Sequence, residues 1–214
     1  MIKKAIIQLA GLGTRLLPLT SVFAKELLPI NGKPGIEYIL DECIEAGIKE
    51  VVFIISKKKE MIKKYFYNDS FYKKILKKKK DLRIKEEYKK ILKYKKMIKF
   101  VYQNKPLGTG DAVLKTKKFI KGKYFLMLLP DDLIIKQNCS KSMIKIHNQY
   151  NSSVMASMNV AKKTVTRWGI YKLKKKLNKK NYLIEKVIEK PSVQKAPSNK
   201  AVIGRYILPK TIFS

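Results

Sequence analysis

Apolar positions along the chain follow two patterns that alternate. Short, mostly apolar runs occupy residues 3–10 (KKAIIQLA), 50–56 (EVVFIIS), 98–103 (IKFVYQ) and 123–129 (KYFLMLL). Runs of this length, rich in β-branched and aromatic residues and closed by turn residues, predict buried strands. Between them the spacing becomes helical. Residues 35–46 place Ile36, Ile39, Leu40, Cys43 and Ile44 on one face, and Gly47 follows as a stop signal. Residues 57–66, 109–118 and 141–150 carry the same signal. Strand alternating with helix predicts an α/β fold, a mostly parallel sheet covered by helices. Further strands are predicted over 153–160, 168–173, 182–189 and 200–208. Gly122, and Pro191 to Pro197, mark turns.

Residues 68–97 break the alternation. They are rich in lysine and tyrosine, with Phe71, Ile75, Leu82, Ile91 and Leu92 spaced among the charges. Recurring apolar residues predict a helical insertion with one buried face rather than a disordered basic segment. No internal repeat and no dividing linker is evident, so residues 1–214 are read as one catalytic domain carrying this insertion. The longest apolar runs, Phe125–Leu129 and Val51–Ile55, are far too short to cross a bilayer. Nor does the start of the chain have the long apolar core of a secretory signal. A cytoplasmic protein without a membrane partner is expected.

Composition changes this picture in one respect. The hydrophobic fraction of 45% suits a globular chain, but the formal charge is +33. Such an excess is the electrostatic footprint of nucleic-acid binding. Yet 45 of the 49 basic residues are lysine, and the arginines are only Arg15, Arg83, Arg167 and Arg205. Arginine carries most bidentate phosphate and base recognition. The lysines are therefore read as solvated faces, able to draw in anionic substrates over long range, and not as a nucleic-acid surface. Cys43 and Cys139 lie far apart with no neighbouring ligand residue, which excludes a zinc motif and predicts two ordinary buried thiols. His147, the single histidine, falls in a predicted helix and is read as structural.

Candidate chemistry begins at Gly11-Leu12-Gly13-Thr14-Arg15, directly after the first strand. Glycines there let backbone N–H groups approach a phosphate, and Arg15 adds a planar fork of donors. No Gly-Lys-Ser/Thr follows and no third glycine, so this is neither a Walker A loop nor a dinucleotide-binding turn. The signal gains weight from Leu16, Pro18, Leu19 and Thr20, then Lys25-Glu26-Leu27-Leu28-Pro29-Ile30, then Lys33-Pro34.

That succession resembles the sugar-1-phosphate nucleotidyltransferases. Four further segments resemble their bacterial glucose-1-phosphate uridylyltransferase branch: Gln103-Asn104-Lys105-Pro106-Leu107-Gly108-Thr109-Gly110; Leu129-Pro130-Asp131-Asp132; Glu189-Lys190-Pro191; and Ala196-Pro197-Ser198-Asn199 followed by Gly204-Arg205-Tyr206. The resemblance implies a Rossmann-like sheet of the nucleotide-diphospho-sugar transferase type, with UTP and glucose 1-phosphate as substrates and Mg²⁺ as cofactor. It places Ala10, Gly11, Gly13 and Arg15 at the triphosphate and Lys25 at the α-phosphate, with Arg15 and Lys25 as the catalytic cations. It places Gln103 and Gly108 at the uracil edge, Asp131 on the metal, Gly169 and Glu189 at the glucose hydroxyls, and Lys190 at the sugar phosphate. Asp132 either supports the site or caps its loop. A thymidylyl enzyme on the same scaffold and an inactive remnant are the alternatives.

Several positions depart from the family pattern. Gln8-Leu9 replace Pro-Ala, Ala24 replaces a proline, and Trp168 replaces a tyrosine before Gly169. Asp111 stands where histidine is frequent, and its negative charge is expected to weaken nucleotide binding unless a lysine pairs with it. Family members continue past the Gly-Arg-Tyr strand, adding a further acidic metal ligand and contacts between subunits of a homo-oligomer. The chain is therefore expected to lack the end of the catalytic region, with reduced stability and weak activity.

Overall fold

The four apolar runs between residues 3 and 129 become four parallel strands. The computed structural model describes residues 1–214 and divides into two compact units, Met1–Val154 with Tyr206–Ser214, and Met155–Arg205. In the first unit lie β1 (Lys4–Gln8), the short strands β2 (Pro29–Ile30) and β3 (Lys33–Pro34), β4 (Glu50–Ile55), β5 (Ile98–Tyr102) and β6 (Tyr124–Leu128). The main sheet runs in the order β5-β4-β1-β6. Ala5 pairs with Val51 on one side and Leu126 on the other, and Val51 pairs in turn with Ile98, all in parallel. Val51 to Ile55 are all fully buried, as expected for a strand covered on both faces.

Helices α1 (Gly35–Glu45), α2 (Glu60–Tyr67), α3 (Asp69–Lys78), α4 (Leu82–Met97), α5 (Gly108–Leu114) and α6 (Cys139–Tyr150) surround the sheet strands in sequence. The result is the Rossmann-like, mostly parallel sheet flanked by helices that the sequence predicts. Its strand order has a functional consequence. The chain steps outward from β1 to β4 and β5, then returns to the other side of β1 for β6. Loops at the carboxyl ends of strands on either side of such a reversal are the usual ligand site of an open α/β sheet.

Polar partners hold the helices. Glu42, on the buried face of α1, accepts a hydrogen bond from the backbone N–H of Ser140 at 3.0 Å. Asn138 caps α6 by accepting from the Lys141 N–H at 2.7 Å, so that helix starts two residues before the predicted range. α5 ends at Leu114, earlier than predicted, where the Thr116 hydroxyl turns back to the Val113 carbonyl at 2.6 Å. His147 is structural: its Nδ1 lies 2.7 Å from the Ser152 carbonyl and its ring packs on Tyr124. Cys43 is buried, whereas Cys139, at the first position of α6, is only half-buried.

The insertion is two helices, α3 and α4, separated by a break that Asp81 caps through the Ile84 N–H at 3.0 Å. Its buried face differs from the expected one. Ile91, Tyr94 and Met97 of α4 are buried, but α3 buries nothing, and Phe71 and Leu82 are exposed. The Tyr72 and Tyr88 rings stack at 5.0 Å, and Ile75 and Leu76 of α3 are half-buried.

In the second unit β8 (Gly169–Lys176) pairs antiparallel with β9 (Tyr182–Glu189) through two register shifts, and Ala201 of β10 (Lys200–Pro209), a strand whose residues from Tyr206 onward belong to the first unit, pairs antiparallel with Ile170. β7 (Val154–Asn159) pairs with β10. A small core of Val165, Ile170 and Ala201 is closed by Met158, Val160, Trp168, Val193 and Ala196. Most of β9 is exposed. No helix is long and apolar enough to cross a membrane.

Candidate functional site

In the first unit four loops leave the carboxyl ends of parallel strands, and each carries polar groups. The loop after β1 contains Ala10, Gly11 and Gly13. Gly13 has φ of +70°, and a Cβ there would sit 3.1 Å from Thr20 Cγ2 and 3.3 Å from Lys25 Cδ. The Thr20 hydroxyl donates to the Gly13 carbonyl at 2.8 Å. Glycine is thus favoured by the left-handed backbone, and the stems of Thr20 and Lys25 pack closely against it.

Lys25 opens a short 3-10 turn, Lys25–Leu27, whose next residue faces the other way. Glu26 is buried and receives Lys59 Nζ on both carboxylate oxygens, at 2.7 and 2.8 Å. Burial pushes the Lys59 pKa down, against the pull of Glu26 upward. This pair pins the turn, and Lys25 Nζ then reaches Oδ1 of Asp131 beyond the end of β6. Arg15 Nη2 lies 3.3 Å from Oδ2 of the same carboxylate, with its own side chain 90% exposed. Arg15, Lys25 and Asp131 therefore form one cluster, with the carboxylate at the surface between two cations.

Sequence reasoning did not find Glu26 and Lys59. Nothing in composition distinguishes Lys59 from the other lysines, and its partner is remote in sequence.

No group of three or more His, Cys, Asp or Glu side chains gathers at ligand spacing. Asp131 nonetheless suits Mg²⁺. This small hard cation commonly takes one or two carboxylates and fills its remaining positions with phosphate oxygens and water.

A separate cavity of about 530 Å³ opens among the loops after β1, β4 and β5. Ala10, Gly11 and Leu12 line it from the first loop, Ser56 to Lys58 from the second, and Gln103, Asn104, Pro106, Gly108 and Thr109 from the third. Gln103 is buried, and its backbone N–H continues the ladder to the Ile55 carbonyl at 2.8 Å. Its Nε2 donates to the Gly108 carbonyl at 3.0 Å and to Asp111 Oδ2 at 2.8 Å. Gly108 adopts φ of +90° as α5 begins. Lys115 lies 3.5 Å from the other Asp111 oxygen, so the lysine counter-charge that the sequence left open is present. Ser56, Lys57 and Lys58 were missed as lining residues. Their position just past β4 was the available signal, since ligand loops follow parallel strands.

In the second unit Gly169, Glu189 and Lys190 come together. Gly169 pairs with Glu189 across β8 and β9, and a Cβ at Gly169 would stand 3.0 Å from Glu189 Oε2 and 3.2 Å from Val187 and Val202. Lys190 adopts φ of +45°, an uncommon conformation for a residue with a side chain, and its N–H donates to the Trp168 carbonyl at 3.0 Å. Its Nζ is 3.9 Å from Glu189, and both side chains are exposed.

Comparison with known proteins shows the family. A family model described as nucleotidyl transferase matches residues 4–214. UTP–glucose-1-phosphate uridylyltransferase 2 of Streptococcus pyogenes serotype M3 is 37% identical over 218 residues, which cover 100% of this chain and 72% of that protein. A UTP-bound UGPase from Acinetobacter baumannii aligns with a TM-score of 0.91 at 33% identity, over 100% of this chain and 76% of that one. A UDP-glucose pyrophosphorylase complexed with UDP-glucose aligns with a TM-score of 0.85 at 34% identity, over 100% and 78%.

Proposed function

The chain belongs to the nucleotidyl transferase family, and on that premise we propose that it transfers a uridylyl group from UTP to glucose 1-phosphate, giving UDP-glucose and pyrophosphate. General nucleotidyl transfer to a sugar 1-phosphate follows from the family and its solved relatives. The choice of uracil and glucose is the further step. It is supported by similarity to the uridylyltransferase of S. pyogenes. The observation that carries the chemistry is the Arg15–Asp131–Lys25 cluster beside the glycine loop.

The reaction asks little covalent work of the protein. An oxygen of the sugar phosphate, already ionised at neutral pH, attacks the α-phosphorus of UTP. The new O–P bond forms as the bond from the α-phosphorus to the bridging oxygen breaks, and pyrophosphate leaves. No proton has to be removed from the nucleophile, so no general base is needed, and rate comes from alignment and charge neutralisation. In this reading Ala10, Gly11, Gly13 and Arg15 hold the triphosphate, and Lys25 faces the α-phosphate where charge shifts during transfer. Gln103 and Gly108 hold the uracil. Glu189 and Gly169 take the glucose hydroxyls, and Lys190 the sugar phosphate. Asp131 would hold Mg²⁺, which supplies charge neutralisation on the phosphate oxygens when bound.

Pyrophosphate release with UTP, glucose 1-phosphate and Mg²⁺ tests this directly. UTP is expected to outperform dTTP, CTP and ATP, and glucose 1-phosphate to outperform other hexose 1-phosphates. A preference for dTTP would move the chain to the thymidylyl branch. Equal rates for the native protein, Lys25→Ala and Asp131→Ala would remove the assigned roles.

A further inference from the structure

We infer that Asp111 is a positioning residue for base selection, fixing which end of the Gln103 amide meets the nucleobase. The inference rests on the uridylyl reading of the cavity and goes beyond it. A glutamine amide can turn over, presenting either a donor or an acceptor, and alone it does not distinguish bases. Here its orientation is set. The two groups that meet Nε2, the Gly108 carbonyl and the Asp111 carboxylate, can only accept. The NH₂ end must therefore face them, and Oε1 makes no hydrogen bond within the protein. Because Gln103 lines the cavity, Oε1 is the end left for a ligand.

Asp111 is the stronger of the two anchors, since a hydrogen bond to a charged group exceeds one between neutral groups. Lys115, one helical turn on, lies against the other oxygen of that carboxylate and helps to hold it in place.

An amide fixed with its oxygen outward selects among bases. Uracil and thymine carry an imide N–H between two carbonyls, and that N–H can donate to Oε1. Cytosine and adenine present a ring nitrogen that only accepts, and Oε1 repels it. Removing the carboxylate leaves the Gly108 carbonyl as the only anchor, and an amide free to turn over would accommodate cytosine. Asp111 thus separates bases that carry an imide N–H from bases that do not, and does not separate uracil from thymine.

Calorimetric titration with UTP and with CTP, without sugar phosphate, tests this on the native protein, Asp111→Ala and Asp111→Leu. Thermal unfolding identifies any variant that is misfolded. Loss of a negative charge near a polyanion changes both affinities alike, so the ratio is the informative quantity. The native protein is expected to prefer UTP. Both variants are expected to lose about tenfold of that preference, equivalent to ~1.4 kcal/mol, with CTP affinity rising relative to UTP. A native protein that favours UTP, together with folded variants that favour it equally, overturns this inference and leaves the uridylyl reading standing. A native protein that binds UTP no better than CTP overturns both.

Discussion

The two units hold their candidate binding groups by different means. In Met1–Val154 the groups are braced by other side chains. Glu26 and Lys59 pin the turn that carries Lys25, and Asp111 fixes the amide of Gln103. In Met155–Arg205 the backbone does this work. Gly169 leaves room for Glu189 across a strand pair, and Lys190 is directed by a left-handed φ and one N–H bond to Trp168. Side-chain bracing fixes the direction of a side chain. Backbone bracing fixes where a residue starts and leaves a long exposed side chain free to adapt. The first suits a phosphoryl centre, where small misplacement is expensive in rate. The second suits recognition of a hydrated sugar.

This contrast predicts which substitutions matter and how. The largest effect is expected at Asp131. Asp131→Asn should lower turnover by roughly 10³-fold, and Lys25→Ala by about 10²-fold to 10³-fold, with unfolding temperatures near native because the cluster is partly exposed. Pyrophosphate release and differential scanning calorimetry check the two halves of that statement.

Next is Lys59→Met, which strands a buried carboxylate and should destabilise the protein by about 3 kcal/mol. Turnover should fall as well, because Lys25 loses its anchor, and the double variant Glu26→Leu/Lys59→Met should recover most of the lost stability but not the lost turnover. If activity also recovers, the pair serves stability alone.

A smaller effect is expected in the second unit. Gly169→Ala brings a methyl group against Glu189 and should raise KM for glucose 1-phosphate by about tenfold while leaving KM for UTP unchanged. Equal changes in both constants would overturn the proposed assignment of Gly169 and Glu189 to the sugar. The smallest is Lys190→Asn. Asparagine tolerates the left-handed region, so chemical denaturation should show a shift of under ~1 kcal/mol. KM for glucose 1-phosphate should rise all the same.

The sequence made the architecture legible where periodicity is strong. Buried runs such as EVVFIIS have no polar interruption, and β4 appears where expected. It was least legible where lysine and tyrosine cover surface. Phe71 and Leu82 were expected inside and are exposed, because nothing local says which apolar residues of a charged helix find a partner. The β2–β3 hairpin was also overlooked. Its turn residues, Asn31 and Gly32, both take positive φ, and Asn-Gly is a strong hairpin signal. At the candidate site the glycines, Arg15, Lys25, Gln103 and Asp131 stood in recognisable motifs. Their supports did not, apart from Glu26, which stands in the same motif as Lys25 with nothing there to show that it faces inward. Lys59 is one lysine among 45, and the charge of Asp111 could be judged only once Gln103 and Lys115 were seen around it.

The turn at residues 24–26 also constrains how this stretch of chain can change length. Ala24 is buried and its N–H meets the Met61 sulfur at 3.0 Å, while Ser21, Val22 and Phe23 just before it are exposed. Insertions should therefore be tolerated among those exposed residues, where slack can bulge into solvent. One residue added between Ala24 and Lys25 would turn the acid outward and the cation inward, and one removed between Ala24 and Glu26 would be Lys25 itself. Selection can vary the loop's span, but the phase of these neighbours is locked.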